Sequence, residues 1–89
     1  MRKILLAILL NTQIIYAQNL NNLSFGSDST FEVVSWNIEW FPKNGQVTVD
    51  YVSQIISALE IDVIAIQEID DISSFNNVVN SLEGYEGYL

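Results

Sequence analysis

Apolar positions along the chain follow two alternating periods. The stretch "FEVVSWN", Phe31–Asn37, is dense in β-branched and aromatic side chains and predicts a strand. Its alternation sets Val34, Trp36 and Ile38 on one face and Phe31, Val33 and Ser35 on the other. Both faces are largely apolar, the pattern of a strand covered on two sides. "PKNGQ", Pro42–Gln46, marks a turn through its proline and its Asn-Gly pair. From Thr48 to Glu60 the period becomes helical, with Val49, Val52, Ile55, Ile56 and Leu59 on one stripe. Thr48 is the expected N-cap, and Asp50 suits the first turn. "IDVIAIQEI", Ile61–Ile69, is a nearly continuous apolar run and predicts a second strand, again covered on two faces. Helical spacing returns through Ile72, Phe75, Val78, Val79 and Leu82, capped by Asp71. "EGYEGYL" opens with turn residues and ends on aromatics, as a third strand would begin.

The predicted order is strand, helix, strand, helix, start of strand. A helix between two buried strands favours parallel pairing through a right-handed crossover. The fold class is therefore α/β, with a β-α-β-α-(β) arrangement. No internal repeat is visible. Two strands and two helices cannot cover both faces of one another, so this topology predicts the opening of a larger domain.

The first residues change the picture of where the protein goes. "MRK" is a positive start, "ILLAILL" an apolar run, and "IIYAQ" offers Ala17 as a small residue for cleavage. Residues 1–17 read as a signal peptide, cut after Ala17 or Gln18, and predict a secreted or periplasmic protein. An amphipathic or buried helix is the alternative. The run is interrupted by Asn11, Thr12 and Gln13 and is too short to span a membrane. With no cysteine after it, a lipoprotein-type anchor is excluded, so no stable membrane anchor is expected. Residues 18–30, rich in Asn, Ser and Gly, read as a flexible lead-in. "NLS" at Asn22 fits a glycosylation sequon, which matters only in a host that glycosylates.

Composition narrows the chemistry. Apolar residues make up 49% and charged ones 16%, outside the range of a disordered chain. The absence of cysteine removes disulfides and thiolate-bound zinc, and the absence of histidine removes His ligands and His bases from these 89 residues. The net charge is −8, and beyond residue 17 one lysine faces 11 acidic residues, or −10. Such a surface repels bare phosphate backbones, so a nucleic-acid role needs a cation or basic surface from elsewhere. Solubility alone accounts for most of these acids.

Candidate chemistry lies where the strands stop. Asn37 ends the first strand and Glu68 nearly ends the second. If the strands are parallel neighbours, both side chains open onto the edge where α/β sheets place ligands. A carboxylate there can hold a hard cation such as Mg²⁺, which keeps several waters. An asparagine beside it offers a carbonyl oxygen to the metal or an N–H to a phosphate oxygen. The spacing of roughly thirty residues is what one βαβ unit needs. The plainer reading is that buried strands end in polar residues because they meet solvent. Glu39 lines the mouth of the site or, as we favour, caps a turn. Trp36 belongs to the core face; Trp40 and Phe41 are open to either packing or base stacking. Asp70 and Asp71 suggest a second metal position, but their place before a helix favours capping.

The pair "VVSWNIEWF" and "DVIAIQEI" resembles the opening of the endonuclease/exonuclease/phosphatase superfamily, the DNase I-like fold. Its members begin with a strand ending in Trp-Asn or a similar pair, followed after a helix by a strand ending in Gln-Glu. The resemblance covers Phe31 to the C-terminus and implies that residues 31–89 form the N-terminal part of such a domain, incomplete in this chain, within a two-sheet α/β sandwich. It implies that Glu68 is a metal ligand, that Asn37 sits at the metal and the scissile phosphate, and that Gln67 packs against or supports the glutamate. The cofactor implied is Mg²⁺, or Mn²⁺ or Ca²⁺ in its place. The substrate implied is a phosphodiester such as DNA or RNA, cleaved by a water attacking in line. The family's later motifs, a histidine pair and a "GD-x-N" segment, are not in this sequence.

Two functions follow as expectations. The first is the N-terminal segment of a secreted metal-dependent phosphodiesterase, nuclease-like and inactive by itself. The second is a small exported acidic protein that keeps part of the scaffold without enzymatic activity.

Overall fold

The computed structural model describes residues 20–89. The predicted signal segment, residues 1–17, and the first two residues of the lead-in lie outside this range. The described chain is a small α/β unit of two parallel strands and two helices. Its elements are β1 (Val33–Phe41), α1 (Gln46–Leu59), β2 (Val63–Ile69) and α2 (Ile72–Ser81), preceded by a single 3₁₀ turn at Leu20–Asn22. The strands are direct neighbours in one parallel sheet, with Val33 opposite Val63 and Asn37 opposite Gln67. Strand boundaries differ from expectation by two to four residues because the ladder, not the apolar run, decides where β1 ends.

Both helices pack on one face of the sheet. Val49, Val52 and Ile56 of α1, Val78 of α2 and Phe41 form the buried cluster. Trp36, Ile38, Ile64 and Ile66 from the strands pack against it, as do Phe75 and Leu82. Of the helical stripes read from sequence, Val49, Val52, Ile56, Phe75, Val78 and Leu82 join the cluster, and Ile55, Leu59 and Val79 are half-buried outside it. Ile72 stands 63% exposed in the first turn of α2, ahead of the core it was expected to join.

Among the described residues no layer covers the other sheet face, as expected where two strands and two helices cannot cover both faces of one another. Val33 is 61% and Val63 44% exposed, and Ser35, Asn37, Ala65 and Gln67 are exposed beside them. Among the described residues, the even-numbered face is the one that meets a layer. The predicted third strand is corrected. Tyr85–Leu89 has no regular structure. Its Tyr85 hydroxyl donates to the Ile61 carbonyl at 2.7 Å, which ties the segment to the loop before β2 through a side chain and not through a ladder.

Capping explains the helix limits. Asp71 is the N-cap of α2, accepting from the Ser74 N–H at 3.0 Å, as expected. The Ser74 N–H and hydroxyl together hold the Asp71 carboxyl below its ordinary range, the hydroxyl being the larger cause. The start of α1 differs. Its N-cap is Gly45, at φ 61, and Thr48 sits one turn inside the helix, where its hydroxyl accepts from the Asn44 N–H at 3.0 Å. The glycine of the Asn-Gly pair supplies the positive φ that sends the turn into the helix, so no side-chain cap is needed there. Asp50, expected in the first turn, instead accepts from Gln46 Nε2 at 2.8 Å, an i,i+4 pair on the helix surface.

The lead-in is more tied down than its composition suggests. The Phe25 N–H donates to the Leu59 carbonyl at 3.3 Å, closing it onto the end of α1. Ser27, Thr30 and Glu32 form a local hydrogen-bonded turn before β1. The Glu32 N–H then donates to the Asp62 carboxylate at 2.8 Å, pinning the start of β1 to the start of β2.

Candidate metal and phosphate site

The ladder is regular up to Asn37 and Gln67 and then breaks. Pairing resumes at Phe41 opposite Ile69. Between these points, Ile38, Glu39 and Trp40 face the single residue Glu68, so β1 bulges by two residues. The backbone angles agree. Glu39 (φ 32), Trp40 (φ 55) and Glu68 (φ 65) all hold positive φ without being glycine. The hydrogen bonds agree too. At the start of the sheet the Val63 N–H donates to Glu32, and at its end the Asp70 N–H donates to Phe41. A pleated strand turns every second residue toward its neighbour, so passing from odd Val63 to even Asp70 requires one residue of β2 to leave the pleat. Glu68 is that residue. In a regular strand its position would alternate with Gln67 onto the packed face; out of the pleat it is exposed.

Non-glycine residues at positive φ are uncommon and cost on the order of 1–3 kcal/mol each. Three of them on one sheet edge mark the place where side-chain position has been set against backbone comfort.

Asn37 and Glu68 thus share the C-terminal end of the sheet, as the parallel arrangement required. Asn37 stands across from Gln67, and Glu68 is the next residue along. Asn37 Oδ1 accepts from the Glu39 N–H at 2.9 Å. That bond fixes the amide's orientation and leaves its Nδ2 free to donate. Gln67 folds over the open face, donating from Nε2 to Ser35 Oγ and to the Ala65 carbonyl, each at 3.1 Å. It braces the sheet beside Glu68 and makes no hydrogen bond to the glutamate. The Glu68 carboxylate has no hydrogen-bond or ion-pair partner among the described residues.

The neighbouring candidates separate. Glu39 belongs to the turn, its carboxylate 3.9 Å from Lys43 Nζ. Lys43 also lies over the Trp40 ring, 5.8 Å from its centre. Both charges are exposed, so this pair contributes little to stability. Trp40 is 60% exposed, and Phe41 is 1% exposed and fully committed to the core. Asp71 is occupied by capping, and Asp70 contributes its backbone N–H to the ladder. Ser35 and the Glu39 backbone were missed from sequence. Ser35 could have been found, since it lies two residues before Asn37 on the same face and diagonal to Gln67.

Among the described residues no three His, Cys, Asp or Glu groups gather as a metal cluster. A cation caged wholly by protein does not fit. An Mg²⁺ held by one carboxylate, its own waters and a phosphate does fit, because this ion accepts few protein ligands. A free carboxylate at a sheet edge supplies that one ligand. Asn37 Oδ1 already accepts one N–H and keeps a second lone pair. Two cavities among the described residues lie away from Asn37 and Glu68. One, of about 550 Å³, lies over α1 and the 3₁₀ turn; the other, of about 460 Å³, follows β2 and α2. No helix among the described residues is long and apolar enough to cross a membrane.

Compared with protein-family models, with curated proteins and with solved structures, the chain matches none of them.

Proposed function

We propose that this chain carries the metal- and phosphate-holding edge of a secreted, metal-dependent phosphodiesterase of DNase I-like fold. One observation supports the reading most. Parallel pairing places Asn37 opposite Gln67 and one residue from Glu68, at an edge where both strands leave the pleat. Glu68 would hold the cation, and the cation when bound would polarise a phosphate oxygen. Asn37, with Oδ1 held by the Glu39 N–H, would donate from Nδ2 to a phosphate oxygen and orient it. Gln67 and Ser35 keep this part of the sheet from twisting away. No histidine stands among these 89 residues to take a proton from the attacking water, and in this reading the chain by itself holds the phosphate without turning it over.

The test is cation binding by the full chain, followed with Mn²⁺ by electron paramagnetic resonance. Weak one-site binding that Glu68→Ala abolishes, and that Asn37→Asp strengthens by adding a second carboxylate, is the expected result. Binding unaffected by Glu68→Ala would remove the metal reading. A nitrophenyl phosphodiester with Mg²⁺ should show no turnover.

A second reading is favoured by a different observation: two cavities among the described residues lie away from Asn37 and Glu68. In that reading the chain is a non-enzymatic, exported acidic protein that binds a partner. Normal protein recognition together with no cation affinity would select it.

A further inference from the structure

We propose that Trp40 is a stacking platform for an unpaired nucleobase beside the scissile phosphate, so that the substrate is a nucleotide phosphodiester whose base stands out of a duplex. The inference rests on the metal and phosphate reading of Asn37 and Glu68 and names the substrate class for that edge.

In β1 and β2 the even-numbered side chains face the helices: Trp36, Ile38, Ile64 and Ile66 all pack against the buried cluster. An uninterrupted pleat would send Trp40 and Glu68 to the same face. Both leave it. Trp40 holds φ 55 and is 60% exposed, and Glu68 holds φ 65 and is exposed. Past the bulge the odd-numbered Phe41 and Ile69 join the core instead. One distortion therefore turns an indole and a carboxylate out of the core at the same sheet edge. Trp40 has a larger apolar surface than its neighbour Phe41, yet Phe41 is the one buried. Burial energy by itself favours the opposite choice.

Exposure does not single Trp40 out, because Phe25, Phe31, Tyr51 and Tyr88 are exposed too. Its place does. Those four lie on the lead-in, just before β1, on the surface of α1 and in the C-terminal segment. Trp40 stands in the arc that faces Glu68. Openness there follows from the chemistry of the site: a rim that admits a phosphate to Glu68 stays open, whatever else packs on the sheet. Lys43 orders the ring. Its Nζ lies over the indole, 5.8 Å from the centre, so one face meets a cation and the other is left for a ligand.

Charge selects that ligand. Lys43 is the one cation after Lys3, and 11 acidic side chains stand against it. This segment has no basic groove to hold the backbone of a duplex. Base–aromatic stacking needs no charge and is worth about five- to a hundredfold in affinity per base. It requires a base with a free π face, which a base stacked within a duplex does not offer. One carboxylate, one amide and one indole fit a single phosphodiester with a splayed base next to it.

The test uses the full chain with Mg²⁺ and the dinucleotide d(ApA), followed by phosphorus NMR. The comparison ligand is the same phosphodiester joining two tetrahydrofuran abasic sugars. The native chain should bind d(ApA) about tenfold more tightly than the abasic compound. Trp40→Leu should abolish that preference, and Trp40→Phe should keep most of it. Closed circular duplex DNA should compete, per phosphate, no better than the abasic compound. Mn²⁺ binding, read by electron paramagnetic resonance, separates this inference from the reading beneath it. If Mn²⁺ binds through Glu68 but the preference for bases is missing, survives in Trp40→Leu or is matched by the duplex, the stacking platform is overturned and the metal site stands. If Mn²⁺ does not bind and neither phosphodiester does, both are overturned. The abasic comparison is made on the native chain, so it decides the matter even where a Trp40 substitution disturbs the fold.

Discussion

The two faces of the β1–β2 sheet differ both in their residues and in their surroundings. On one, Trp36, Ile38, Ile64 and Ile66 meet both helices and the Phe41 cluster. On the other, Val33, Val63 and Ala65 share their face with Ser35, Asn37 and Gln67 and meet no layer among the described residues. The covered face carries four β-branched residues, Val34, Ile38, Ile64 and Ile66, against two, Val33 and Val63, on the face that also carries Ser35, Asn37 and Gln67. The helices return to the first of these. On that side the apolar stripes of α1 and α2 find a partner; on the open side polar side chains bond laterally to one another, as Gln67 does to Ser35. The lesson is that an apolar run establishes a strand but not the number of layers around it.

The sharpest way to break the contrast is to damage the covered face. Ile56→Ala removes a side chain that is 3% exposed at the centre of the helix–sheet cluster. It should cost about 2–5 kcal/mol in urea unfolding followed by circular dichroism. A loss no greater than that of an open-face substitution would mean the cluster is not what holds the sheet. The next effect is on α2, which owes its place on the covered face to a clean start. Asp71→Ala should lower the urea midpoint, by less than Ile56→Ala does. Because the folded Asp71 carboxyl is held below its ordinary value by Ser74, its contribution is fully present above the ordinary aspartate value. It is lost as the pH falls through the lowered folded value. Acid titration of helix content should therefore show a steeper loss in the native chain than in Asp71→Ala. The smallest effect is on the open face: Val33→Thr should change stability by no more than about 0.5 kcal/mol. A larger loss would show that this face is covered in solution.

Much of this layout is legible from residue spacing, and the exceptions have physical causes. The two strands, the two helices, their order and the Asp71 cap follow from periods of two and 3.6 and from capping chemistry. The shared end for Asn37 and Glu68 follows from the parallel topology. The bulge does not. Nothing in "NIEWF" marks Glu39 and Trp40 as left-handed, because the residues that usually announce positive φ, glycine and asparagine, are absent from both positions. The irregular tail was hidden for a related reason. Tyr85 and Tyr88 read as strand residues, but strand requires a bonded neighbour, and the segment is held instead by the Tyr85 hydroxyl donating to Ile61. Glu68 itself was read correctly as a strand-end carboxylate, while its departure from the pleat could be seen only in the ladder.

The burial of Phe41 has a mechanical consequence. The Ile38–Trp40 excursion is moored at both ends, by the Asn37–Gln67 pair before it and by an aromatic plug after it. Swinging this arc away from Glu68 means drawing the plug from the core, at a cost near that of deleting a buried phenylalanine, on the order of 3 kcal/mol or more. The rim beside Glu68 therefore behaves as a fixed jaw: whatever settles there must fit the arc as it stands.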